Sequence, residues 1–93
     1  MYVVLVYDIM IEEKSGQKAL RNTFKTCKKY LHHIQNSVFE GEITKAQLVK
    51  LKSEIYKHIR KDKDSVIIFK SREERWLEKE FWGITDDKTS NFI

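Results

Sequence analysis

With 93 residues, 41% of them hydrophobic and 34% charged, the chain has material for one compact domain and too much apolar content for a disordered one. Its single cysteine, Cys27, excludes an intrachain disulfide, and the apolar N-terminal run, broken by Asp8, Glu12 and Glu13, fits neither a secretory leader nor a membrane span, so a reducing, cytoplasmic setting is expected. A net charge of +4 and a pI of about 9.2 favour polyanionic partners, and a domain of this size buries only roughly 60% of its unfolded surface, which favours assembly with a partner chain.

Tyr2 to Ile9 is β-branched and aromatic, without polar alternation before Asp8, and predicts a strand buried on both faces in the middle of a sheet. Asp8 stands out because an ionised carboxylate ending an apolar strand needs a partner. It reads either as a surface aspartate that caps a loop or pairs with a lysine, or as a ligand for a hard cation. Mg²⁺ is commonly held by one or two carboxylates together with waters and phosphate oxygens. One such residue per chain is thin for a site, whereas two copies of Asp8 facing each other across a closed two-fold axis would be adequate. Tyr7 adjoins it and is the aromatic residue to watch.

Ser15 and Gly16 open an amphipathic helix over about 15–30, with Leu20, Phe24, Cys27 and Leu31 at helical spacing. Residues 14–29 hold Lys14, Lys18, Arg21, Lys25, Lys28 and Lys29 and no acidic residue, a concentration of charge that suits a phosphate-contacting face or a plain solvated one. Cys27 on the apolar side reads as core. Residues 31–43 look extended, with Gln35-Asn36-Ser37 breaking them into two strands. His32 and His33, adjacent on a strand, point to opposite faces and cannot chelate one ion together; His33 could touch phosphate. Thr44 with Gln47 is a capping-box pattern that starts a second helix, whose stripe is Leu48, Leu51, Ile55 and Ile59, supported by Val49 and Tyr56. Asp62 to Ser65 is a polar turn, and Val66 to Phe69 another buried strand. The tail from about 76 to 93 carries Trp76, Phe81, Trp82 and Ile84 and could form an extra strand on a partner's sheet edge.

The order βαββαβ places two helices on one face of a four-stranded antiparallel sheet, an α+β, ferredoxin-like single domain over 1–93 with an added C-terminal strand or tail. The three glycines are isolated, so no phosphate-binding loop is encoded, and no zinc-ligand spacing or nucleophile elbow is present.

Val3-Val-Leu-Val-Tyr-Asp-Ile9, together with Ile34-Gln-Asn-Ser-Val-Phe-Glu-Gly41, the Trp82-Gly83-Ile84 segment and the terminal Asn91-Phe92-Ile93, resembles the small CRISPR-associated Cas2 family over essentially the whole chain. The resemblance implies a homodimer with each C-terminal segment laid on its partner's sheet, and Mg²⁺ held between the two copies of Asp8. It implies a metal-dependent endonuclease on RNA or DNA in spacer acquisition and antiviral defence, with an integrase subunit as partner. Carried over residue by residue, Tyr7 and Asp8 match the family's Tyr-Asp pair, Arg21 a basic position on the first helix, and Phe39 the aromatic of its Ser-Val-Phe stretch. His33 stands where an arginine is often found, and lysines replace some expected arginines, which bears on phosphate grip because lysine lacks the bidentate fork.

Two functions are therefore expected from the sequence. One is Mg²⁺-dependent phosphodiester hydrolysis at Asp8 and Tyr7, with Lys14, Lys18, Arg21, Lys25, Lys28, His33 and Phe39 on the nucleic acid. The other is a non-catalytic DNA-binding scaffold of the integrase complex, held by phosphate contacts and docked through the tail. An interaction module of the same fold with no nucleic-acid role is the plainest alternative.

Overall fold

The computed structural model describes residues 1–83; the expectations placed on Ile84 and on Asn91 to Ile93 lie outside them. The elements run β1 (Tyr2–Asp8), α1 (Lys14–Tyr30), β2 (His32–Gln35), β3 (Val38–Glu42), α2 (Lys45–Tyr56) and β4 (Ser65–Ser71), followed by one 3₁₀ turn at Glu74–Trp76. The sheet order is β2-β3-β1-β4, and every neighbouring pair is antiparallel. This is the expected βαββαβ arrangement, with β1 central and β2 and β4 at the edges.

Strand alternation divides β1 between two environments. Val3, Leu5 and Tyr7 point under the helices and, with Phe39, Ile43, Ala19, Cys27, Leu31, Leu51 and Ile55, form the core. Val4 and Val6 point the other way and are only half-buried. The expectation of a strand buried on both faces therefore holds for one face: both helices cover the same side, and among the described residues the second side meets only residues 77–82. The same geometry corrects β4. As an edge strand it half-buries Val66 and Ile68 while Ile67 and Phe69 remain 52% and 57% exposed.

In α1 the buried line is Gly16, Ala19, Thr23, Thr26 and Cys27, a rotation away from the Leu20–Phe24 line that hydrophobicity alone singles out. Leu20 and Phe24 are half-buried at its margin. Small residues occupy the contact line because the helix comes close to the chain beneath it. A Cβ on Gly16 would drive into the Met10 carbonyl oxygen and press on Ile11 Cα and the Arg60 guanidinium.

The second helix begins as its sequence predicts. Gln47 N–H donates to Thr44 Oγ1 at 3.1 Å, and Thr44 N–H donates to Gln47 Oε1 at 2.9 Å. Leu51 and Ile55 are buried and Leu48 and Ile59 pack against the core, but Val49 and Tyr56 face solvent, 68% and 48% exposed, and do not extend the stripe. The β2–β3 hairpin turns at Asn36 and Ser37, where Asn36 takes a left-handed φ of 42°, a conformation Asn tolerates better than most residues.

Candidate nucleic-acid and metal site

Asp8 is the last residue of β1, opposite Ser65 of β4. Its side chain is exposed on the sheet face the helices leave open, and no ion pair reaches it among the described residues. Val6, Val38, Ile67 and Phe69 share that face by register. As a donor set, one exposed carboxylate has the hard oxygen chemistry that Mg²⁺ requires but too few ligands alone. No group of three metal-ligating side chains occurs among the described residues. The residues fit a divalent ion if a second chain brings its own Asp8.

Tyr7 is one residue away but on the opposite face. It is 4% exposed, its ring lies 6.0 Å from that of Phe39, and burial, helped by Cys27 nearby, pushes its phenol up to about 12. Within one chain Tyr7 and Asp8 do not share a pocket, because successive strand residues diverge. Phe39 is fully buried at the centre of an aromatic cluster, 5.4 Å from Phe24 and 4.9 Å from His33 between ring centroids, so it has no surface to offer a ligand. His33 is half-buried, packs edge-on against Phe24 at 4.9 Å, and its Nε2 meets the Asn36 carbonyl oxygen at 2.8 Å. Within one chain Tyr7 and Phe39 are packed in the core and His33 braces the β2–β3 turn.

The basic residues do form a continuous surface. Lys14, Lys18, Arg21, Lys25 and Lys28 recur at alternate steps of four and three, the spacing of one helical stripe. All five are exposed, and among the described residues none makes an ion pair; Lys29, just off the stripe, is held by Glu54. At 1.5 Å per residue the stripe runs about 21 Å. No acidic residue stands in the first turn of α1, and Glu13, its N-cap, is paired with Lys63.

A second charged group was not anticipated. Asp64, read from sequence as part of a polar turn, has a fully buried side chain. It accepts from Met10 N–H at 3.0 Å and from Arg60 N–H at 2.8 Å, and from the Arg60 guanidinium at 3.1 and 3.0 Å. The same guanidinium donates to the Met10 carbonyl and to Ser15 Oγ. Lys63 pairs with Glu13 at 2.7 Å, and Glu13 is the N-cap of α1. The α2–β4 connection thereby clamps residues 10–15, the loop that follows Asp8, onto the end of β4. The Arg60 hydrogen bonds and the two backbone amides hold the Asp64 carboxyl below the usual carboxylate range. The only local signal for this was the i, i+4 spacing of Arg60 and Asp64, which also occurs on ordinary solvated surfaces.

The described part of the tail lies along the open face of its own sheet. Residues 77–82 form a shallow cleft with Val4, Ile34, Val38, Glu40 and Phe69, and Lys79 pairs with the buried Glu40.

Comparison with known proteins gives a consistent result. The sequence profile of the family described as CRISPR associated protein Cas2 matches residues 1–79. A protein named CRISPR-associated endoribonuclease Cas2 from Fusobacterium nucleatum subsp. nucleatum is 59% identical over 93 residues, all of this chain and 87% of that one. CRISPR-associated endoribonuclease Cas2 2 from Moorella thermoacetica is 43% identical over 91 residues, 98% of this chain and all of that one. Among solved structures, that of Streptococcus pyogenes Cas2 at pH 6.5 superimposes with a TM-score of 0.74 at 32% identity, covering 87% of this chain and 100% of that one.

Proposed function

The chain belongs to the CRISPR-associated Cas2 family, and we propose that it is a divalent-metal-dependent endonuclease, cutting RNA before DNA, that serves spacer acquisition in antiviral defence. The observation that carries the reading is Asp8, a carboxylate without an ion pair among the described residues, at the end of β1 beside Val6 and Ile67, on the part of the open face that residues 77–82 leave clear. Two such faces meeting about a two-fold axis would cover Val6 and Ile67 and bring two copies of Asp8 to one place. The relatives' name, endoribonuclease, is what favours RNA.

In the dimer the two Asp8 carboxylates would hold Mg²⁺, which when bound neutralises phosphate charge and makes a coordinated water more acidic. The remaining work falls to the chain. The Arg60–Asp64 clamp holds the loop after Asp8 in place, the α1 stripe grips the phosphate backbone, and Tyr7, protonated at neutral pH, anchors the strand from inside.

The test is cleavage of labelled single-stranded RNA and duplex DNA with Mg²⁺ or EDTA, using parent and Asp8→Ala proteins purified in parallel. Cleavage that needs the metal and disappears in Asp8→Ala is the expected result. Cleavage that survives the substitution overturns the site.

A second reading, the non-catalytic integrase scaffold, has its own support in the ion-pair-free cation stripe and in the lack of a three-ligand cluster among the described residues. It predicts no cleavage but salt-sensitive DNA binding in both proteins. Replacing Lys25 and Lys28 by Gln would then lower the slope of log affinity against log salt by about 0.9 for each duplex phosphate that the variant no longer neutralises. An unchanged slope removes the stripe from either reading. For the tail, a chain ending at Asp87 should bind the integrase subunit less well than the full chain, and undiminished association counts against docking through it.

A further inference from the structure

Two Asp8 carboxylates are few for an ion that surrounds itself with about six oxygens, and no group of three acidic, histidine or cysteine ligands occurs among the described residues. Strand register shows which residue stands beside each Asp8. It is paired with Ser65, the first residue of β4. Residues directly opposite in an antiparallel pair share a face, with Cβ atoms about 4.5–5.5 Å apart. The β1–β3 register ends at Val6 and Val38, so among the described residues Ser65 is the one cross-strand neighbour of Asp8. Both side chains are exposed.

Two observations separate Ser65 from a polar residue that merely begins a strand. The next pair along the same face is Val6 with Ile67, so Asp8 and Ser65 form a polar couple at the end of an apolar strip. When two such faces meet, the couple leaves bulk water; there a carboxylate needs a cation, and a hydroxyl needs a polar partner. The couple is also held in place. Asp64, one residue before Ser65, accepts from the amide of Met10, two residues after Asp8, at 3.0 Å, and from Arg60 N–H at 2.8 Å. The ends of β1 and β4 are therefore tied to each other behind the two side chains, which fixes their spacing before any ion arrives.

The chemistry of the donor fits as well. A serine hydroxyl is a hard, neutral oxygen, and in phosphate-handling sites a Ser or Thr hydroxyl ligates Mg²⁺ together with a carboxylate. Neutrality matters here, because the two Asp8 charges already balance a divalent ion, and further carboxylates would repel a substrate phosphate. We propose that the Ser65 hydroxyl is an oxygen ligand of the divalent ion beside Asp8. A dimer then offers two carboxylates and two hydroxyls and leaves the other positions to water and phosphate. The proposal rests on the two-fold reading of Asp8 above and adds a second kind of ligand to it.

The experiment measures metal binding without substrate or turnover. Free Mn²⁺ is followed by electron paramagnetic resonance in titrations of the full chain at one fixed protein concentration, and Mg²⁺ and Cd²⁺ are measured by competition. Asp8→Ala should abolish binding. Ser65→Ala should weaken Mn²⁺ about tenfold, the lower end of what the loss of a group supporting a metal site costs, and Ser65→Thr, which restores the hydroxyl, should recover most of that loss. Ser65→Cys, handled without oxygen, should reverse the metal preference: Mg²⁺ weaker than in the parent and Cd²⁺ roughly tenfold tighter, because sulfur selects the softer ion. Cys27 is fully buried and cannot supply that thiol. Ser65 is exposed, so all three variants at this position should melt with the parent, and a reversed metal preference is not something lost stability could produce. Equal Mn²⁺ affinity in parent and Ser65→Ala, or no gain of Cd²⁺ in Ser65→Cys, while Asp8→Ala still loses the ion, overturns the role of Ser65 and leaves the Asp8 reading standing. A parent that binds no Mn²⁺, or binding that survives Asp8→Ala, overturns both.

Discussion

Replacing Asp64 by alanine strips two backbone amides, Met10 N–H at 3.0 Å and Arg60 N–H at 2.8 Å, of their acceptor in one step. Both are part-buried, and the carboxylate between them is fully buried, so water cannot fully replace it. Leaving a buried donor unpaired costs about 1–3 kcal/mol, and two of them near the lower half of that range come to ~2–4 kcal/mol. For a domain of this size each kcal/mol moves the melting temperature by roughly 4–8 °C, so Asp64→Ala should melt at least 8–10 °C below the parent, and Asp64→Asn, which keeps one acceptor, about half as far. The pH dependence should agree in sign. A carboxyl whose folded pKa is depressed contributes stability that is fully present above its unfolded value of about 3.9 and is lost as pH falls through the folded value. The gap between parent and Asp64→Ala should therefore be constant above about pH 5 and close as the solution is acidified toward pH 2. Thermal unfolding followed by far-UV circular dichroism at fixed protein concentration would measure both. A shift under 4 °C, or a gap that widens on acidification, would refute the clamp.

Two further outcomes are expected. Gly16→Ala sets helix propensity, worth up to ~1 kcal/mol in favour of alanine, against a methyl group that meets the Met10 carbonyl; overpacking at ~1–3 kcal/mol should win, and urea unfolding should show a net loss. A variant as stable as the parent would mean the loop after Asp8 gives way freely. Cys27 is fully buried, and burial pushes its thiol up to about 12, so at pH 8 it should react with a colorimetric disulfide reagent at least 10³-fold more slowly in native protein than in urea. Prompt reaction without denaturant would show that α1 opens easily.

Both helices, four strands and their order were legible from local pattern, because each depends on neighbours within a few residues. The apolar run of β1, the Thr44–Gln47 cap and the turn at Asn36 are of this kind. The basic stripe on α1 was legible for the same reason, since its spacing is carried by the helix alone. Asp8 could be picked out as a charge at the end of an apolar strand, and no ion pair reaches it among the described residues. Other features depended on which elements meet. Strand alternation is known from sequence, but which side the helices cover is not, and that choice buried Tyr7 and Phe39 while exposing Asp8, Ile67 and Phe69. The edge position of β4 opened a strand that its composition reads as core. Close approach of α1 to the loop beneath it put small residues on the contact line and left Leu20 and Phe24 to floor a cleft. Asp64 became a buried clamp because Met10, 54 positions away, turned its amide toward it. Propensity and periodicity are properties of the chain within a turn or two, whereas burial is set by the packing of distant segments, and so the sequence determined the elements and the charged face, while the tertiary structure decided which side chains are free to act.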